Sequence, residues 1–247
     1  MTQNRQFVRE TMRIGLVSYQ CKNRDIAFNM KQIKLAMQRS QGKTDLLCFG
    51  EAFLQGFDAL CWDYETDKTI AMDLSSETIS QLRSWTIQYG ISLLVGYIEK
   101  DEERLYSSCA VLSDGDIVYN YRRISKGWKE YSITDGHYCE GNETGAFHLH
   151  GKEITIALCG DLWDCPERFR TDQFLIWPVY VNYTIEEWNQ GTLDDYAAQA
   201  ALVADDVLMI NSIDHEPANH GGSFHLHNGK IIARIPFDRE GILVVEI

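Results

Sequence analysis

Polar side chains of three kinds follow apolar segments that have the length of buried strands. Glu51 follows the segment TDLLCFG, Cys159 closes the segment EITIALC, and the pair Arg122 and Arg123 follows DIVYNY. Strand ends in α/β folds share one rim of a sheet, and ligands bind there. A carboxylate that takes a thiol proton, a sulfur that attacks a carbonyl carbon and a cation that stabilises the oxyanion make a thiol hydrolase. Each residue alone is more often structural, so the chemistry depends on whether the three meet.

The charge and cysteine content narrow the class of protein. The chain carries 23 Lys and Arg against 36 Asp and Glu, a formal charge of −13, which disfavours binding to nucleic acid or to anionic lipid. Seven cysteines occur at irregular spacing without a C-x-x-C pair, which fits a reducing compartment. No apolar leader or membrane-spanning run can be read. The sequence therefore predicts a cytoplasmic protein that binds neither nucleic acid nor membrane.

The sequence offers no motif for a metal or a cofactor. Two His-x-His pairs occur, at positions 148 and 150 and at positions 225 and 227, and both lack a third ligand at motif spacing. A glycine-rich phosphate loop is absent from the sequence. We therefore expect neither a metal nor a cofactor.

Apolar runs alternate with helical patterns in the first half of the chain, and hairpins follow. This order favours an α/β fold with mixed sheets, and the even composition with four prolines predicts a single domain over residues 1–247. The predicted helices cover residues 23–39, 76–89 and 193–205, and the predicted strands cover residues 13–19, 44–50, 91–98, 105–112, 116–122, 153–159, 174–180, 207–212, 221–226, 230–235 and 242–247.

Several segments, in order, resemble the nitrilase (carbon–nitrogen hydrolase) superfamily. FGEAFLQGF at 49–57 resembles the family segment F-P-E-x-x-x-x-G-Y/F, and LCGDLWDCPERFR at 158–170 resembles its nucleophile segment I-C-Y-D-x-x-F-P-E-x-x-R. Three further segments, LYSS, NYRRIS and the closing GGSFHLHNGKIIARIPFDREGILVVEI, resemble the family's Y-N-S, Y-R-K-x-H-L and final hairpin with its last strand. The resemblance extends from about Met12 to the C-terminus.

The resemblance implies a nitrilase-like four-layer α-β-β-α sandwich, with a Glu-Lys-Cys triad and often a second Glu. By position, Glu51 becomes the general base, Cys159 the nucleophile and the backbone N–H of Gly160 an oxyanion donor. The resemblance further implies a small amide as substrate, and pairing into a homodimer or a larger homo-oligomer.

The pattern breaks at the cation, because Arg123 stands where the family carries its lysine. Arg123 can stabilise an oxyanion but cannot exchange a proton as an amine does. The alternative is that a turn over residues 125–127 brings Lys126 or Lys129 into the site. Glu130 lies near the place of the family's second Glu.

Two residues beside the nucleophile bear on the substrate. Gly160 replaces a larger aromatic residue and is expected to leave room beside the sulfur, and Trp163 is a candidate wall of a substrate pocket. The sequence thus predicts a carbon–nitrogen hydrolase that cleaves a small amide or carbamoyl compound through a thioester. A catalytically degenerate binding or regulatory protein and an acyl transferase stay open as alternatives.

Overall fold

The computed structural model describes residues 11–216 and 218–247, and two six-stranded mixed sheets form its centre. In spatial order the first sheet contains β14 (Gly241–Glu246), β1 (Arg13–Ser18), β2 (Leu46–Cys48), β3 (Ser92–Asp101), β4 (Arg104–Ser113) and β5 (Asp116–Arg122). The second contains β13 (Lys230–Ile235), β12 (Ser223–His227), β9 (Asp206–Asn211), β8 (Phe174–Val179), β7 (Lys152–Ile156) and β6 (Ala146–Leu149). A separate ribbon pairs β10 (Ile213–His215) with β11 (Ala218–His220).

Helices of very different length connect the strands. They are α1 (Ile26–Ser40), α2 (Tyr64–Asp67), α3 (Glu77–Tyr89), α4 (Asp161–Asp164), α5 (Ile185–Glu187) and α6 (Leu193–Ala200). Two 3-10 turns cover Phe57–Ala59 and Pro166–Phe169, and a π-helical turn covers Trp188–Thr192. Across the part of the chain that the structure describes, no helix is at once long enough and apolar enough to cross a membrane.

The strand β1 of the first sheet is buried on both faces, which explains why it is an almost continuous apolar run. Along β1, Ile14 and Leu16 belong to the core between the two sheets, whereas Val17 packs with α1 and α3. Successive side chains of a strand point to opposite faces, so a strand covered on both sides needs apolar residues throughout. This double covering gives the α-β-β-α layering that the sequence predicts, and the predicted fold is confirmed.

The boundaries of some elements differ from prediction where long-range contacts decide them. β7 ends at Ile156, so Cys159 lies in a turn three residues beyond the strand, not at its tip. The helix predicted over 193–205 ends at Ala200. The short elements β6, β10, β11, α2, α4 and α5 were not predicted, because four or fewer residues give no readable periodicity.

Gly96 of β3 allows the first sheet to pass directly under the turn that carries Glu51. A Cβ at position 96 would lie 2.4 Å from the Gly50 carbonyl oxygen, 2.6 Å from the Ala52 nitrogen and 2.8 Å from the Glu51 Cα. All three are backbone atoms, which cannot rotate away as a side-chain end can. The position of Glu51 therefore depends on the absence of a side chain at residue 96.

We expect Gly96→Ala to destabilise the fold by about 2 kcal/mol, within the range for overpacking of a core, because the Glu51 turn must shift. Thermal unfolding with an assay of any hydrolytic activity measures both effects. Gly136→Ala is the matched control, since a Cβ there meets nothing within 4 Å. Equal melting temperatures for the two variants would contradict the prediction.

Candidate active site

Cys159 lies in a tight turn between β7 and α4. Its backbone has φ 41°, a left-handed value that is uncommon for a residue with a side chain. The turn is held by hydrogen bonds from the Cys159 N–H to the Pro178 carbonyl, 2.9 Å, and from the Trp177 indole N–H to the Cys159 carbonyl, 2.9 Å. The thiol is partly buried and donates to the Tyr180 carbonyl, 3.7 Å. Strand β8 and the residue that follows it thus fix the strained turn and aim the sulfur.

Glu51 follows β2 and is buried, with a side-chain exposure of 0%. Its Oε1 accepts hydrogen bonds from the Ser107 hydroxyl, 2.7 Å, and from Nη1 of Arg123, 2.9 Å. Its Oε2 has no nitrogen or oxygen partner among the described residues. Besides burial, the negative charge of Glu51 raises the pKa of the Cys159 thiol. One oxygen is therefore fixed by the protein, while the carboxylate keeps capacity for a proton.

Arg123 follows directly after β5 and is the cation that reaches Glu51. Its guanidinium is buried, with Nε donating to the Ser125 hydroxyl, 2.7 Å, and Nη1 donating to Glu51. Burial opposes its charge, but the neighbouring charges of Glu51, Cys159 and Asp161 outweigh burial and raise the pKa of Arg123. The guanidinium is therefore charged at every pH at which the protein is folded.

The Cys159 thiol stays protonated in the resting site. Burial, followed by the negative charge of Glu51, raises the pKa of Cys159 to about 12, and the charge of Arg123 opposes the rise. A thiol with that pKa holds its proton at neutral pH. Any reaction of this sulfur with a carbonyl therefore requires a base that removes the proton as the bond forms.

Asp161 joins the turn that carries Cys159 to the segment that carries Arg123. Its buried carboxylate accepts four hydrogen bonds: from the backbone N–H groups of Ile124, 3.1 Å, and Ser125, 2.8 Å, from the Tyr121 hydroxyl, 2.6 Å, and from the backbone N–H of Leu158, 2.8 Å. Burial raises the pKa of Asp161 while these hydrogen bonds lower it. One side chain thus sets the distance between Cys159 and Arg123.

The alternative cations do not reach the carboxylate. Lys126 is exposed; its backbone N–H donates to Asp164, 3.2 Å, and its backbone carbonyl accepts from the Trp128 N–H, 2.9 Å. Lys129 has its amine on the Tyr138 carbonyl and on Glu140, 3.1 Å. The bonds of Asp161 to residues 124 and 125 direct the following loop away from Glu51, so the structure brings Arg123, and neither lysine, to this carboxylate.

Glu130, the candidate second Glu, lies outside the cluster. Its side chain is exposed and accepts a hydrogen bond from the Ser132 hydroxyl, 2.7 Å, which lowers the pKa of Glu130. Glu130 lies in the irregular segment between β5 and β6, and its part in catalysis stays a prediction.

The space expected beside Gly160 is filled. A Cβ at position 160 would lie 2.4 Å from Nη2 of Arg123, so the guanidinium occupies the volume that a side chain would need. The expectation that glycine leaves room for substrate is therefore wrong at this point.

Trp163 lies on the outer side of an aromatic cluster beside the nucleophile. Its side chain is 42% exposed and meets the edge of Tyr196 at a ring distance of 5.0 Å. Tyr196 in turn stacks on Trp177, 5.3 Å, the residue that holds the Cys159 carbonyl. The role of Trp163 in binding substrate stays a prediction.

Three residues of the site were not singled out from sequence. Ser107 lies in the LYSS segment and binds Glu51, Ser125 binds Arg123, and Trp177 anchors the turn of the nucleophile. Only Ser107 had a readable signal, the likeness of LYSS to the family's Y-N-S.

Comparison with known proteins places the chain among carbon-nitrogen hydrolases. The model of the carbon-nitrogen hydrolase family matches residues 13–163. The chain is 27% identical over 146 residues to a glutamine-dependent NAD(+) synthetase of Thermotoga maritima, with 57% of this chain and 24% of that protein covered. It is 25% identical over 159 residues to an (R)-stereoselective amidase of Pseudomonas sp, with 64% and 55% covered. The chain therefore spans about a quarter and about half of the lengths of these two curated relatives.

A solved amidase from Nesterenkonia sp. AN1 has a similar fold. This glutamate-to-glutamine variant carries the acetamide moiety of fluoroacetamide, covalently added at its active-site cysteine. It superposes with a TM-score of 0.75 at 18% identity, covering 96% of this chain and 90% of that one, a likeness that concerns the fold. The family match covers more than half of the chain, and the resemblance seen in the sequence is confirmed. The protein is thus a member of the carbon–nitrogen hydrolase family.

Proposed function

We propose that the protein hydrolyses a small amide or carbamoyl compound through a thioester on Cys159, with Glu51 as base and Arg123 as cation. The observation that carries this proposal is the buried ion pair of Glu51 with Arg123, 2.9 Å, together with the effect of the Glu51 charge on the pKa of the Cys159 thiol. A buried carboxylate that is held by a cation and acts on a nearby thiol is arranged for proton transfer.

The first half of the reaction forms the thioester. Glu51 takes the thiol proton while the sulfur attacks the carbonyl carbon, and the negative charge moves to the carbonyl oxygen. The backbone N–H of Gly160 and the guanidinium of Arg123 stabilise that oxygen. Glu51 then gives the proton to the leaving nitrogen as the carbon–nitrogen bond breaks, and ammonia or an amine departs.

The second half releases the acid. Glu51, again unprotonated, takes a proton from a water molecule that attacks the thioester carbon, and the carbon–sulfur bond breaks. The thiolate recovers the proton from Glu51, so the site returns to its starting state. Arg123 cannot exchange protons at any step, which leaves all proton transfer to Glu51.

The relatives support an amide as the class of substrate. One curated relative is named an amidase, another is named glutamine-dependent, and the Nesterenkonia amidase reacts covalently at its cysteine. The replacement of the family lysine suggested a catalytically degenerate binding protein. In the buried ion pair, the guanidinium of Arg123 keeps a positive charge next to the Glu51 carboxylate. We therefore favour an enzyme over a degenerate binding protein.

Cys159→Ala is expected to lower kcat/KM for any amide that the protein hydrolyses by about 10⁴-fold or more, because the nucleophile is lost. The measurement is ammonia release over a panel of small amides, carbamoyl compounds and nitriles. The control is Cys61→Ala, an exposed cysteine that should leave activity unchanged. Activity in Cys159→Ala close to that of the unmodified chain would contradict the mechanism.

Glu51→Gln is expected to lower hydrolysis by about 10²-fold or more while it speeds the alkylation of Cys159 by iodoacetamide. The charge of Glu51 raises the pKa of the thiol and that of Arg123 lowers it, so removal of Glu51 lowers the pKa below about 12. More thiolate then exists at any given pH, and the thiolate is the reactive form.

The alkylation is followed by mass spectrometry of the Cys159 peptide between about pH 6 and 9.5. In the unmodified chain the rate should rise about tenfold for each pH unit without a plateau, because the whole range lies below the pKa. Glu130→Gln is the control, since that carboxylate is exposed and outside the cluster. A Glu51→Gln profile equal to that of the control would disprove the proposed coupling of carboxylate and thiol.

A further inference from the structure

The backbone conformation of residue 160 does not require a glycine. Its φ of −64° and ψ of −11° are right-handed helical values that every residue with a side chain adopts. Glycine at this position, directly after the nucleophile, therefore needs another explanation. The surroundings of its Cα supply one.

The volume next to Gly160 belongs to the guanidinium of Arg123. A Cβ at position 160 would lie 2.4 Å from Nη2, 3.4 Å from Cζ, and 3.1 Å from the Ser125 hydroxyl oxygen that holds Nε. The first distance is far below van der Waals contact. The guanidinium cannot yield, because Nη1 is bound to Glu51, Nε is bound to Ser125, and the side chain is only 3% exposed.

Two hydrogen-bond donors stand unused at this contact. Nη2 of Arg123 has no hydrogen-bond partner among residues 11–216 and 218–247, and the same holds for the backbone N–H of Gly160. One donor belongs to Gly160, which directly follows Cys159, and the other belongs to the guanidinium of Arg123, which packs against Gly160. Unpaired N–H groups on a fixed framework next to a sulfur are suited to an oxygen that gains negative charge.

We propose that Arg123 and Gly160 form an interlocked pair, in which the missing side chain of Gly160 creates the space for the guanidinium and thereby fixes the direction of Nη2. Gly160 is in this respect a positioning residue for Arg123. The inference rests on the proposed function and deepens it. It also explains how an arginine fits at the position of the family's lysine. Because the neighbouring residue is a glycine, there is space for the larger, planar guanidinium.

The test is a double-mutant cycle on kcat/KM for an amide that the unmodified protein hydrolyses. Gly160→Ala should lower kcat/KM about 100-fold, since the displaced guanidinium loses its alignment. Arg123→Lys, which removes Cζ and Nη2, should lower it about 10- to 100-fold. The double variant should be no worse than Arg123→Lys alone, because a shorter amine needs no glycine beside it. Independent effects would instead multiply.

Gly127→Ala is the matched control, because a Cβ there would lie 3.4 Å from the same Nη2, an ordinary contact. It should stay within about threefold of the unmodified chain, which is small beside the loss expected for a displaced catalytic group. Thermal unfolding of all variants separates lost alignment from lost folding.

A second readout follows the thiol itself. The charge of Arg123 lowers the pKa of Cys159, so displacement of the guanidinium in Gly160→Ala should slow iodoacetamide labelling at a given pH. The double variant should recover the rate of Arg123→Lys. The interlock is refuted if Gly160→Ala matches the unmodified chain in both readouts, or if the double variant shows the product of the two single effects. A chain that hydrolyses no compound of the panel would refute the proposed function, and the labelling cycle alone would then decide on the interlock.

Discussion

The buried carboxylate of Asp161 is the constraint on which the rest of the site depends. It accepts hydrogen bonds from two segments that are nearly 40 residues apart in sequence. Tyr121 and Ser125 belong to the first segment, and Leu158 belongs to the second. Backbone N–H groups that would otherwise be buried without a partner are satisfied by this one residue. Since it engages residues adjacent to both Arg123 and Cys159, it holds their two segments together, and Glu51 approaches them from the end of β2, in the same sheet as β5.

The ion pair of Glu51 with Arg123 shows how a buried charge pair is kept incomplete for chemistry. Charges taken out of water are costly unless hydrogen bonds satisfy them, and Ser107 and Ser125 each provide one. Oε2 of the carboxylate and Nη2 of the guanidinium remain without partners among the described residues. Both belong to groups that act electrostatically on the Cys159 thiol. A pair built for stability alone would fill these positions; in the proposed mechanism they receive a proton and an oxygen of the substrate.

The parts of the fold that the sequence predicts are those governed by local pattern. The apolar runs of β1 and β8 and the hairpin around Gly115 appear within a residue or two of their predicted positions, since burial on both faces demands unbroken apolar segments. The end of β7 was misplaced because EITIALC is apolar to its last residue. Its pairing with β8 nevertheless stops at Ile156, and Asp161 and Trp177 bend the chain after it. No local pattern carries that information.

The residues of the candidate site also divide into those that local sequence segments indicate and those that long-range contacts decide. Glu51 and Cys159 follow apolar runs within segments that resemble the family, and this resemblance is what singles them out. The choice among Arg123, Lys126 and Lys129 depended on the direction of a loop that Asp161 determines from another part of the sequence. The surface position of Glu130 likewise depends on the course of this loop, which no local pattern shows. The purpose of Gly160 becomes visible only when the guanidinium beside it is placed.

The protonated state of the Cys159 sulfur has a consequence for the lifetime of the protein. Peroxide and other oxidants attack thiolates far faster than thiols, and a cysteine oxidised beyond the sulfenic acid is lost for covalent chemistry. Because burial and the Glu51 carboxylate hold the proton on this sulfur, the idle molecule offers oxidants little thiolate. Under the proposed mechanism, the sulfur becomes a thiolate, and so becomes sensitive to oxidative damage, only while it reacts, unlike in enzymes that store a permanent thiolate.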